Sequence, residues 1–404
     1  MVSCNALYSI SARLAHSLGE PNEPFGGMNI IFAGDFAQLP PVSAKALYSP
    51  DSTVSPIIRG KMSILDQKNT IGKIIWQQIT TIVVLKQNMR QTANTPDDEK
   101  FRTALANMRF AACSKADLEF LQSRTIGTRP GRPTFKRKEF RNISIITAFN
   151  AQKDKINELG SAKFAKEHGQ DLTTFYSNDS IASNAGDTER KPKEVRKKQT
   201  VKSNTSIPAH RQQQLWDAHP CFAGEHIPGR LDVCLGLPIM IRNNDATELC
   251  ITKGQEGRVV GWQEAVGNQN QQILDTLFVE LVSPPKTIHI EGLPRNIVAL
   301  PRTTKKIWCT LPDDKTVQIN REQVLVLPNF AMTDYASQGK TRPINVVDLN
   351  NCKDHFSYYT ALSRSSTSNG TVILQGMDPY KITKGIHGSL RQEFRELELL
   401  NEIT

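Results

Sequence analysis

The stretch that decides the fold class is Met28-Asn29-Ile30-Ile31-Phe32-Ala33-Gly34-Asp35-Phe36-Ala37-Gln38-Leu39-Pro40-Pro41. Its apolar part, residues 29–33, predicts a buried strand, and two prolines stop the chain from continuing as strand or helix. Open α/β sheets bind their ligands at the carboxyl ends of strands, so Asp35 and Gln38 are candidate site residues. A strand followed by an ordinary polar turn is the alternative interpretation of this stretch when it is taken alone.

Strands alternate with helices along much of the remaining chain, which indicates an α/β fold with parallel sheets. Further buried strands are predicted at residues 80–85, 143–147, 325–328, 344–349 and 372–374, and helices at 9–18, 100–108, 115–123 and 151–166. Between residues 253 and 326 the pattern becomes all-β. Its short runs at 257–262, 276–282, 287–290, 296–300, 306–310 and 317–320 predict a small barrel inserted into the α/β layer.

The composition is that of a folded, basic protein. Of its 404 residues 38% are hydrophobic, and 50 Lys and Arg against 40 Asp and Glu give a net charge of +10. Basic proteins often bind polyanions, although a solvated basic surface is the alternative. Residues 177–206 are polar and contain seven basic residues after position 189, which predicts a disordered surface insertion. Phosphate contact and nuclear targeting are alternative roles for this basic cluster.

Cysteine usage and hydropathy favour a soluble protein that is not secreted. No apolar run approaches the length of a membrane span, and the first residues lack the order of a signal peptide. The seven cysteines include no C-x-x-C pair, a spacing typical of buried thiols in a reducing compartment. His219, Cys221 and His226 are close enough in sequence to share a metal, but no fourth ligand is evident, so we predict no structural metal.

Three further segments stand out: Leu85-Lys86-Gln87-Asn88-Met89-Arg90-Gln91, Phe330-Ala331-Met332-Thr333-Asp334-Tyr335-Ala336-Ser337-Gln338-Gly339-Lys340-Thr341, and Tyr358-Tyr359-Thr360-Ala361-Leu362-Ser363-Arg364. The second of them ends in Gly-Lys-Thr, like a phosphate-binding P-loop. Asp334, however, stands where a P-loop needs its first glycine, and a proline and a predicted strand follow where a helix is required. We therefore reject a P-loop at this position.

In this order, the four segments resemble the third to sixth motifs of superfamily-one DNA helicases. The resemblance is greatest to the RecD-like branch that contains the petite-integration-frequency family and the helicase portions of Helitron-type transposons. It covers nearly the whole chain and implies RecA-like parallel sheets with an inserted SH3-like β-barrel. Residues 1–78 would be the remnant of a first RecA-like lobe, residues 79–252 and 327–404 the second lobe, and residues 253–326 the barrel.

The resemblance also implies a site and its ligands. ATP, with Mg²⁺, would lie between the two lobes, and single-stranded DNA would be the partner. Gln38, Arg90 and Arg364 would be catalytic, with Asp35 shaping the loop and the arginines contacting the transferring phosphoryl oxygens. Asp35 and Gly339 would join those three in binding the nucleotide. The residues implied in nucleic-acid contact are Thr333, Ser337, Gln338 and Thr341.

Two features depart from the family pattern. Tyr335 and Ala336 stand where the family's fifth motif usually has His and Lys, which affects the expected DNA contact.

No G-x-x-x-x-G-K-[ST] occurs in the sequence, and Met1-Val2-Ser3 resembles the residues that directly follow the acidic pair of the second motif. We therefore expect an N-terminally truncated chain without the phosphate-binding loop and the Mg²⁺-binding acids, and no tight ATP binding or hydrolysis by it alone.

The resemblance thus implies the C-terminal portion of an ATP-dependent 5′-to-3′ DNA helicase, with family roles in DNA repair, recombination, telomere maintenance or transposition. A non-catalytic fragment that binds single-stranded nucleic acid is the alternative, and a decayed fragment without a selected role is a third possibility. The direction of unwinding comes from the family only. A nuclear location is expected from the resemblance together with the basic residues of 177–206.

Overall fold

The computed structural model describes residues 1–50, 62–127, 132–134, 140–182 and 207–404. The basic cluster of the predicted insertion therefore lies outside the described residues. The chain divides into two compact units. Unit 1 consists of Met1–Arg141, Ile145–Ala148 and Thr333–Thr404, and unit 2 of Asn142–Ser144 and Phe149–Met332. Among the described residues, none of the helices combines the length and apolar character that crossing a bilayer requires. The four-part division inferred from the sequence stays a prediction.

The described residues form nine α-helices and fourteen strands, and more residues lie in the helices than in the strands. The helices are α1 Cys4–Leu18, α2 Ile64–Gln77, α3 Pro96–Arg109, α4 Lys115–Ser123, α5 Asn150–Glu167, α6 Ala209–Asp217, α7 Asp334–Ser337, α8 His355–Leu362 and α9 Gly388–Ile403. The strands are β1 Ile145–Thr147, β2 Thr173–Tyr176, β3 Asn178–Ile181, β4 Arg230–Val233, β5 Pro238–Ile241, β6 Glu256–Val266, β7 Gln272–Leu281, β8 Ile297–Pro301, β9 Thr303–Thr310, β10 Thr316–Gln323, β11 Val326–Pro328, β12 Ala331–Thr333, β13 Asn345–Val347 and β14 Thr371–Ile373.

Short parallel strands form the sheet of unit 1. β13 lies between β1 and β14, with Ile145 beside Val346 and Val346 beside Val372. Every residue of β13 and β14 is buried. Parallel strands need long crossover connections and are normally covered on both faces, which explains why even the polar residues Asn345 and Thr371 of these strands are buried. The parallel α/β architecture predicted from the sequence is thereby confirmed.

The first two helices of unit 1 pack at very short range. Ser3 caps α1 by accepting the backbone N–H of Ala6 at 3.2 Å. Gly72 of α2 lies against the first turn of α1, where a Cβ atom would be 1.9 Å from the carbonyl oxygen of Cys4. Only glycine leaves room for this approach. Cys4 and Ile75 form part of the small core between the helices.

Phe36, in the middle of the stretch that decided the fold class, is anchored by aromatic contacts. Its ring centroid lies 5.4 Å from that of Tyr48 and 5.6 Å from that of Trp76, both nearly edge to face. Aromatic pairs prefer this geometry to a parallel sandwich. The anchoring of Phe36 fixes the position of the polar residues on either side of it, Asp35 and Gln38.

Two predicted strands of unit 1 are wrong. Residues 29–33 and 80–85 have no strand partner among the described residues, and Ile31 is 95% and Leu85 89% exposed. The backbone N–H groups of Ile82 and Val84 donate instead to side chains at the end of the chain. Their acceptors are Thr404 Oγ1 at 3.1 Å and Asn401 Oδ1 at 2.7 Å. An apolar run shows that a segment can be buried, whereas a strand also needs a neighbouring backbone.

Unit 2 is rich in antiparallel strands. The strands form a five-stranded sheet in the order β11-β5-β6-β7-β8, a three-stranded sheet β3-β10-β9, and the pair β2-β4. The predicted β-runs between 253 and 326 fall in β6 to β10, except for residues 287–290, which form no strand. There the backbone N–H of Ile288 donates to the side chain of Asn296 at 3.0 Å, so no ladder is built.

Strand β3 corrects the predicted start of the disordered insertion at residue 177. Asp179 in this strand accepts hydrogen bonds from Arg321 of β10 at 3.0 Å and 2.8 Å. Arg321 is fully buried and also donates to the carbonyl oxygens of Ile227 and Leu215. The sequence of β3 is polar, which predicted a solvated segment. Asp179 is buried because it pairs with Arg321, and a partner so distant in sequence leaves no local signal.

Candidate functional site

Asp35 and Gln38 meet within one turn of unit 1. Asp35 Oδ1 accepts a hydrogen bond from the backbone N–H of Ala37 at 3.0 Å. Asp35 Oδ2 accepts a second one from Nε2 of Gln38 at 3.3 Å. The backbone N–H of Gln38 also donates to the carbonyl oxygen of Asp35 at 3.1 Å. Aspartates commonly stabilise turns by bonding to the backbone two residues on. The turn therefore fixes the carboxylate and holds the amide beside it.

Arg109, the last residue of α3, connects this turn to α8. Its Nη1 donates to Asp35 Oδ2 at 2.8 Å and to the hydroxyl of Tyr359 at 2.9 Å. Its guanidinium carbon lies 5.4 Å from the centroid of the Tyr359 ring. Burial disfavours the charge of Arg109, but Asp35 and Tyr359 outweigh burial and raise the pKa of Arg109. The guanidinium is therefore held in its charged form between the two elements.

Arg90 and Gln91 fasten the segment after residue 85 to the end of α8. Arg90 donates from Nε to Thr341 Oγ1 at 3.1 Å and from Nη1 to the carbonyl oxygen of Ser363 at 3.0 Å. Gln91 Nε2 donates to the carbonyl oxygens of Ser363 at 3.3 Å and Ser365 at 2.6 Å. The hydrogen bond to the carbonyl oxygen of Ser363 places Arg90 beside Ser363, the residue that precedes Arg364.

Arg364 is 1% exposed. Its Nε donates to the carbonyl oxygen of Thr360 at 2.9 Å and its Nη2 to Ser363 Oγ at 2.8 Å. Burial and the charge of Arg90 lower the pKa of Arg364 to about 10, although Tyr359 and Asp35 act in the opposite direction. Among the described residues, no carboxylate forms an ion pair with Arg364. Because a buried charge is costly unless it is paired, Arg364 is a candidate residue for binding an anion.

The charges of this cluster favour a polyanionic ligand. Arg90, Arg109 and Arg364 contribute three positive charges and Asp35 one negative charge, which leaves a net positive charge in a partly buried site. Arginine matches the oxygens of phosphates because its N–H groups form a rigid planar fork. Among the described residues, Nη2 of Arg90 and Nη1 of Arg364 have no acceptor, so each arginine retains a nitrogen for a ligand.

Two of the residues implied in nucleic-acid contact use their hydroxyl groups within α7. Thr333 caps this helix, since its Oγ1 accepts the backbone N–H of Ala336 at 3.3 Å. Ser337 is fully buried, and its hydroxyl donates to the carbonyl oxygen of Asp334 at 2.7 Å. These hydroxyls position the short helix in this structure. Their contact with nucleic acid stays a prediction.

The residues after α7 form a turn that leads into a strand. Gln338 ends the helix, and Gly339 has a φ of +81°, a conformation that glycine adopts without strain. Thr341 is exposed and accepts the hydrogen bond from Arg90. Strand β13 begins at Asn345, so no helix follows the Gly-Lys-Thr sequence. This confirms the reason for rejecting a P-loop here.

Tyr335 links the segment that resembles the fifth helicase motif to the segment that resembles the third. Its hydroxyl donates to the carbonyl oxygen of Pro40 at 3.2 Å. Burial, together with the charges of Asp334 and Asp354, raises the pKa of Tyr335, so the hydroxyl keeps its proton as a donor. The residue that departs from the family pattern thus contacts the turn that carries Gln38.

Neither Arg109 nor the role of Tyr359 is evident from the sequence. Arg109 lies one residue beyond the helix predicted at 100–108. A basic residue in the last turn of a helix is common because it interacts favourably with the helix dipole, so its identity gave no functional signal. Only the pairing of α3 with the turn of residues 34–41 would have identified it.

The three residues considered as metal ligands lie in unit 2 and are used otherwise. His219 Nδ1 is 3.0 Å from Cys221 Sγ, and His226 Nε2 is 3.2 Å from the side-chain nitrogen of Asn150. Within the described ranges, no group of three or more His, Cys, Asp and Glu residues is arranged to hold a metal ion.

Comparisons with known proteins agree with the sequence motifs. A family model described as PIF1-like helicase matches residues 5–117. The ATP-dependent DNA helicase PIF5 of Trypanosoma brucei brucei is 29% identical over 139 residues, which are 31% of this chain and 14% of that helicase. The matched region thus spans a small part of that relative's length.

Solved structures share the fold. The Pif1 helicase from Candida albicans has a TM-score of 0.63 at 19% identity, over 99% of this chain and 74% of that chain. The Bacteroides Pif1 helicase in complex with ADP-AlF3 and ssDNA has a TM-score of 0.60 at 19% identity, over 98% of this chain and 72% of that chain. At these identities the similarity establishes the α/β fold of such helicases.

Proposed function

We propose that this chain, of which residues 5–117 match a family model described as PIF1-like helicase, forms the C-terminal portion of an ATP-dependent DNA helicase. The observation that carries the proposal is the buried Arg364, a cation without a carboxylate partner among the described residues. Arg90 lies beside it and lowers its pKa, so the two guanidinium groups favour the same anion. A triphosphate is an anion of the required charge.

The residues of the cluster have distinct roles in this proposal. Arg364 binds the phosphoryl oxygens of ATP with Nη1 and Arg90 binds them with Nη2. The other nitrogens of the two guanidinium groups hold the side chains in place. Gln38 contacts the γ-phosphate region from its turn, and Asp35 holds the amide of Gln38 near the site. Gly339 allows the backbone after α7 to approach the nucleotide. ATP with Mg²⁺ supplies the transferable phosphoryl group when bound, and the arginines stabilise the charge on its oxygens.

We also propose that these 404 residues bind ATP weakly and do not hydrolyse it alone. Their arginines supply positive charge, but the sequence contains no G-x-x-x-x-G-K-[ST] segment to surround the phosphates with backbone N–H groups. The second candidate function is a non-catalytic module that binds single-stranded DNA. The net charge of +10 and the ssDNA bound to the Bacteroides relative favour it.

Several finer assignments rest on the family alone. We propose 5′-to-3′ unwinding, a nuclear location, and roles in DNA repair, recombination, telomere maintenance or transposition. Thr333, Ser337, Gln338 and Thr341 are proposed to lie along the DNA backbone. The antiparallel strands between residues 253 and 326 are proposed to be the SH3-like insertion of the second RecA-like lobe.

Titration calorimetry with tripolyphosphate tests the anion site. We expect Arg364→Gln to weaken binding about tenfold or more, because one charge-assisted contact to phosphate is lost. Arg230→Gln is the matched control, since Arg230 pairs with Asp232 on the surface of unit 2. Equal binding by the wild-type chain and Arg364→Gln would contradict the assignment. ATP hydrolysis is measured separately in the presence of single-stranded DNA. Turnover by the wild-type chain that is lost in Arg364→Gln would show that the chain is active alone.

A further inference from the structure

The sheet β3-β10-β9 of unit 2 has one buried face and one face turned to solvent. Along β9, Ile307 and Cys309 are buried, whereas Lys306 and Trp308 are exposed. Side chains alternate between the two faces of a strand, so Lys306 and Trp308 share the outer face. Trp308 is 55% exposed, which is unusual for a side chain with so large an apolar surface.

A second exposed aromatic residue, Phe222, lies beside β9, which is an edge strand of this sheet. Ala223 forms an antiparallel bridge with Cys309, and both residues are buried. In the antiparallel register of this bridge Gly224 is opposite Trp308 and Phe222 is opposite Thr310, so Phe222 is a diagonal neighbour of Trp308. A Cβ atom at Gly224 would lie 3.1 Å from the backbone nitrogen of Trp308, which shows that the two backbones lie in close contact. Phe222 is 56% exposed.

Polar side chains complete this face on the other side of Trp308. Gln318 of β10 is directly opposite Trp308, and Asn320 is opposite Lys306. Ser180 of β3 is in turn opposite Asn320. The amide and hydroxyl groups of these residues can both donate and accept hydrogen bonds. Two exposed aromatic residues, a lysine and a row of hydrogen-bonding groups thus occupy neighbouring positions at this part of the sheet.

The charge on this face is favourable for an anion. Lys306 has no ion-pair partner among the described residues. The carboxylate of Glu322, at the end of β10, is 3.6 Å from Nε of Arg302 and accepts a hydrogen bond from Asn178 at 3.0 Å. Its negative charge is therefore balanced locally, and Lys306 stays available for a phosphate.

We propose that this face, the Phe222–Trp308 platform, binds the unpaired bases of single-stranded DNA. The aromatic rings stack on bases, the amides of Gln318 and Asn320 contact base edges, and Lys306 contacts the backbone. Stacking on exposed aromatic side chains beside a positive charge is how sheets bind single strands without strict sequence preference. Because the rest of the face is polar, it suits bases better than the apolar surface of a protein partner. The inference rests on the proposed binding of DNA and adds a contact surface in unit 2.

Fluorescence anisotropy of a labelled oligo(dT) titrated with the complete 404-residue chain tests the platform. We expect Trp308→Ala to weaken binding about tenfold, the effect of losing one stacked base, while Trp308→Phe retains most of the affinity. Phe222→Ala weakens binding independently, and Lys306→Gln weakens it and reduces its dependence on salt concentration. Tyr380→Ala is the matched control, because Tyr380 is an exposed aromatic residue of unit 1, at 68%.

The outcomes separate this inference from the proposed function. If the wild-type chain binds oligo(dT) and neither Trp308→Ala nor Phe222→Ala changes the affinity, the platform is overturned and the proposed DNA binding stands. Equal affinity for a blunt duplex, with the same loss in Trp308→Ala, also overturns it, because paired bases cannot stack on the rings. A wild-type chain that does not bind oligo(dT) at all contradicts the proposed DNA binding itself.

Discussion

Asp35 and Arg109 form an ion pair of 2.8 Å that joins the turn of residues 34–41 to the end of α3. The Oδ2 atom that accepts from Arg109 also accepts from the amide of Gln38. The position of Gln38 therefore depends on Arg109 through one shared carboxylate oxygen. Because Arg109 also contacts Tyr359, the same guanidinium connects this turn to the helix that precedes Arg364.

Replacing Arg109 by methionine should destabilise unit 1. Methionine keeps the apolar stem but leaves Asp35 and Tyr359 without their shared donor, so we expect a loss of about 1–2 kcal/mol in the free energy of unfolding. Urea denaturation measures this loss. The control is Lys100→Met, which breaks the exposed pair of Lys100 with Asp97 and should change stability very little. Equal effects of the two substitutions would contradict a special role for Arg109.

Replacing Arg364 by methionine should stabilise the chain and remove anion binding. The pKa of Arg364 is lowered to about 10, so the folded state disfavours its charge. This penalty is present at neutral pH and decreases only as the pH rises above about 10. We expect Arg364→Met to raise the free energy of unfolding by about 1 kcal/mol.

Thermal unfolding with and without tripolyphosphate checks this expectation. The anion should raise the melting temperature of the wild-type chain and leave that of Arg364→Met unchanged, because a ligand stabilises only the state that binds it. A variant that is less stable than wild type yet still responds to tripolyphosphate would refute both parts of the prediction.

The buried pair of Asp179 and Arg321 should be essential for unit 2. Removing one partner leaves the other charge buried and unpaired, so Asp179→Ala and Arg321→Met should each cost about 3–5 kcal/mol. The double variant Asp179→Ala with Arg321→Met should cost less than the sum of the two changes. Urea denaturation of the three variants measures the coupling. Additive costs would show that the two residues act independently.

Glu393 should make unit 1 less stable as the pH rises. Burial raises the pKa of this carboxyl group, although the hydrogen bond from Trp76 Nε1 at 2.8 Å acts in the opposite direction. A carboxyl group with a raised pKa favours the folded state when it is protonated. Its stabilising effect is therefore present below the unfolded-state pKa of about 4.3 and is lost as the pH rises through the folded-state pKa.

Glu393→Gln should abolish this dependence, because the amide still accepts the hydrogen bond but does not ionise. We expect it to be more stable than wild type at pH 7 and equally stable at pH 4. Urea denaturation followed by tryptophan fluorescence across this range gives the comparison. Parallel pH profiles of the two proteins would exclude a contribution from Glu393.

Local signals were sufficient to locate several elements from the sequence. Helix α4 has the predicted bounds, because Ser114 and Asp117 cap its first turn reciprocally and no distant contact is needed to start it. Residues 29–33 and 80–85 were equally apolar but are not strands. Strand formation depends on a partner backbone, and no local pattern reports whether one is present.

The same distinction applies to the candidate site. Asp35, Gln38, Arg90 and Arg364 were identified because they lie in short motifs of recognisable order. Within the structure they converge through Arg109 and Ser363, whose contacts join segments far apart in sequence. Such contacts are set by tertiary packing, which a single sequence does not reveal.

The hydrogen bonds from the backbone N–H groups of residues 82 and 84 have a consequence for solubility. They are accepted by the side chains of Thr404 and Asn401. An extended apolar segment with unpaired amide donors is a template for cross-strand pairing between molecules. The end of the chain occupies these donors with side chains, which cannot propagate a sheet. We expect Asn401→Ala with Thr404→Ala to promote aggregation, visible as increased light scattering at unchanged secondary structure. In that case α9 and the residue after it reduce self-association of the protein.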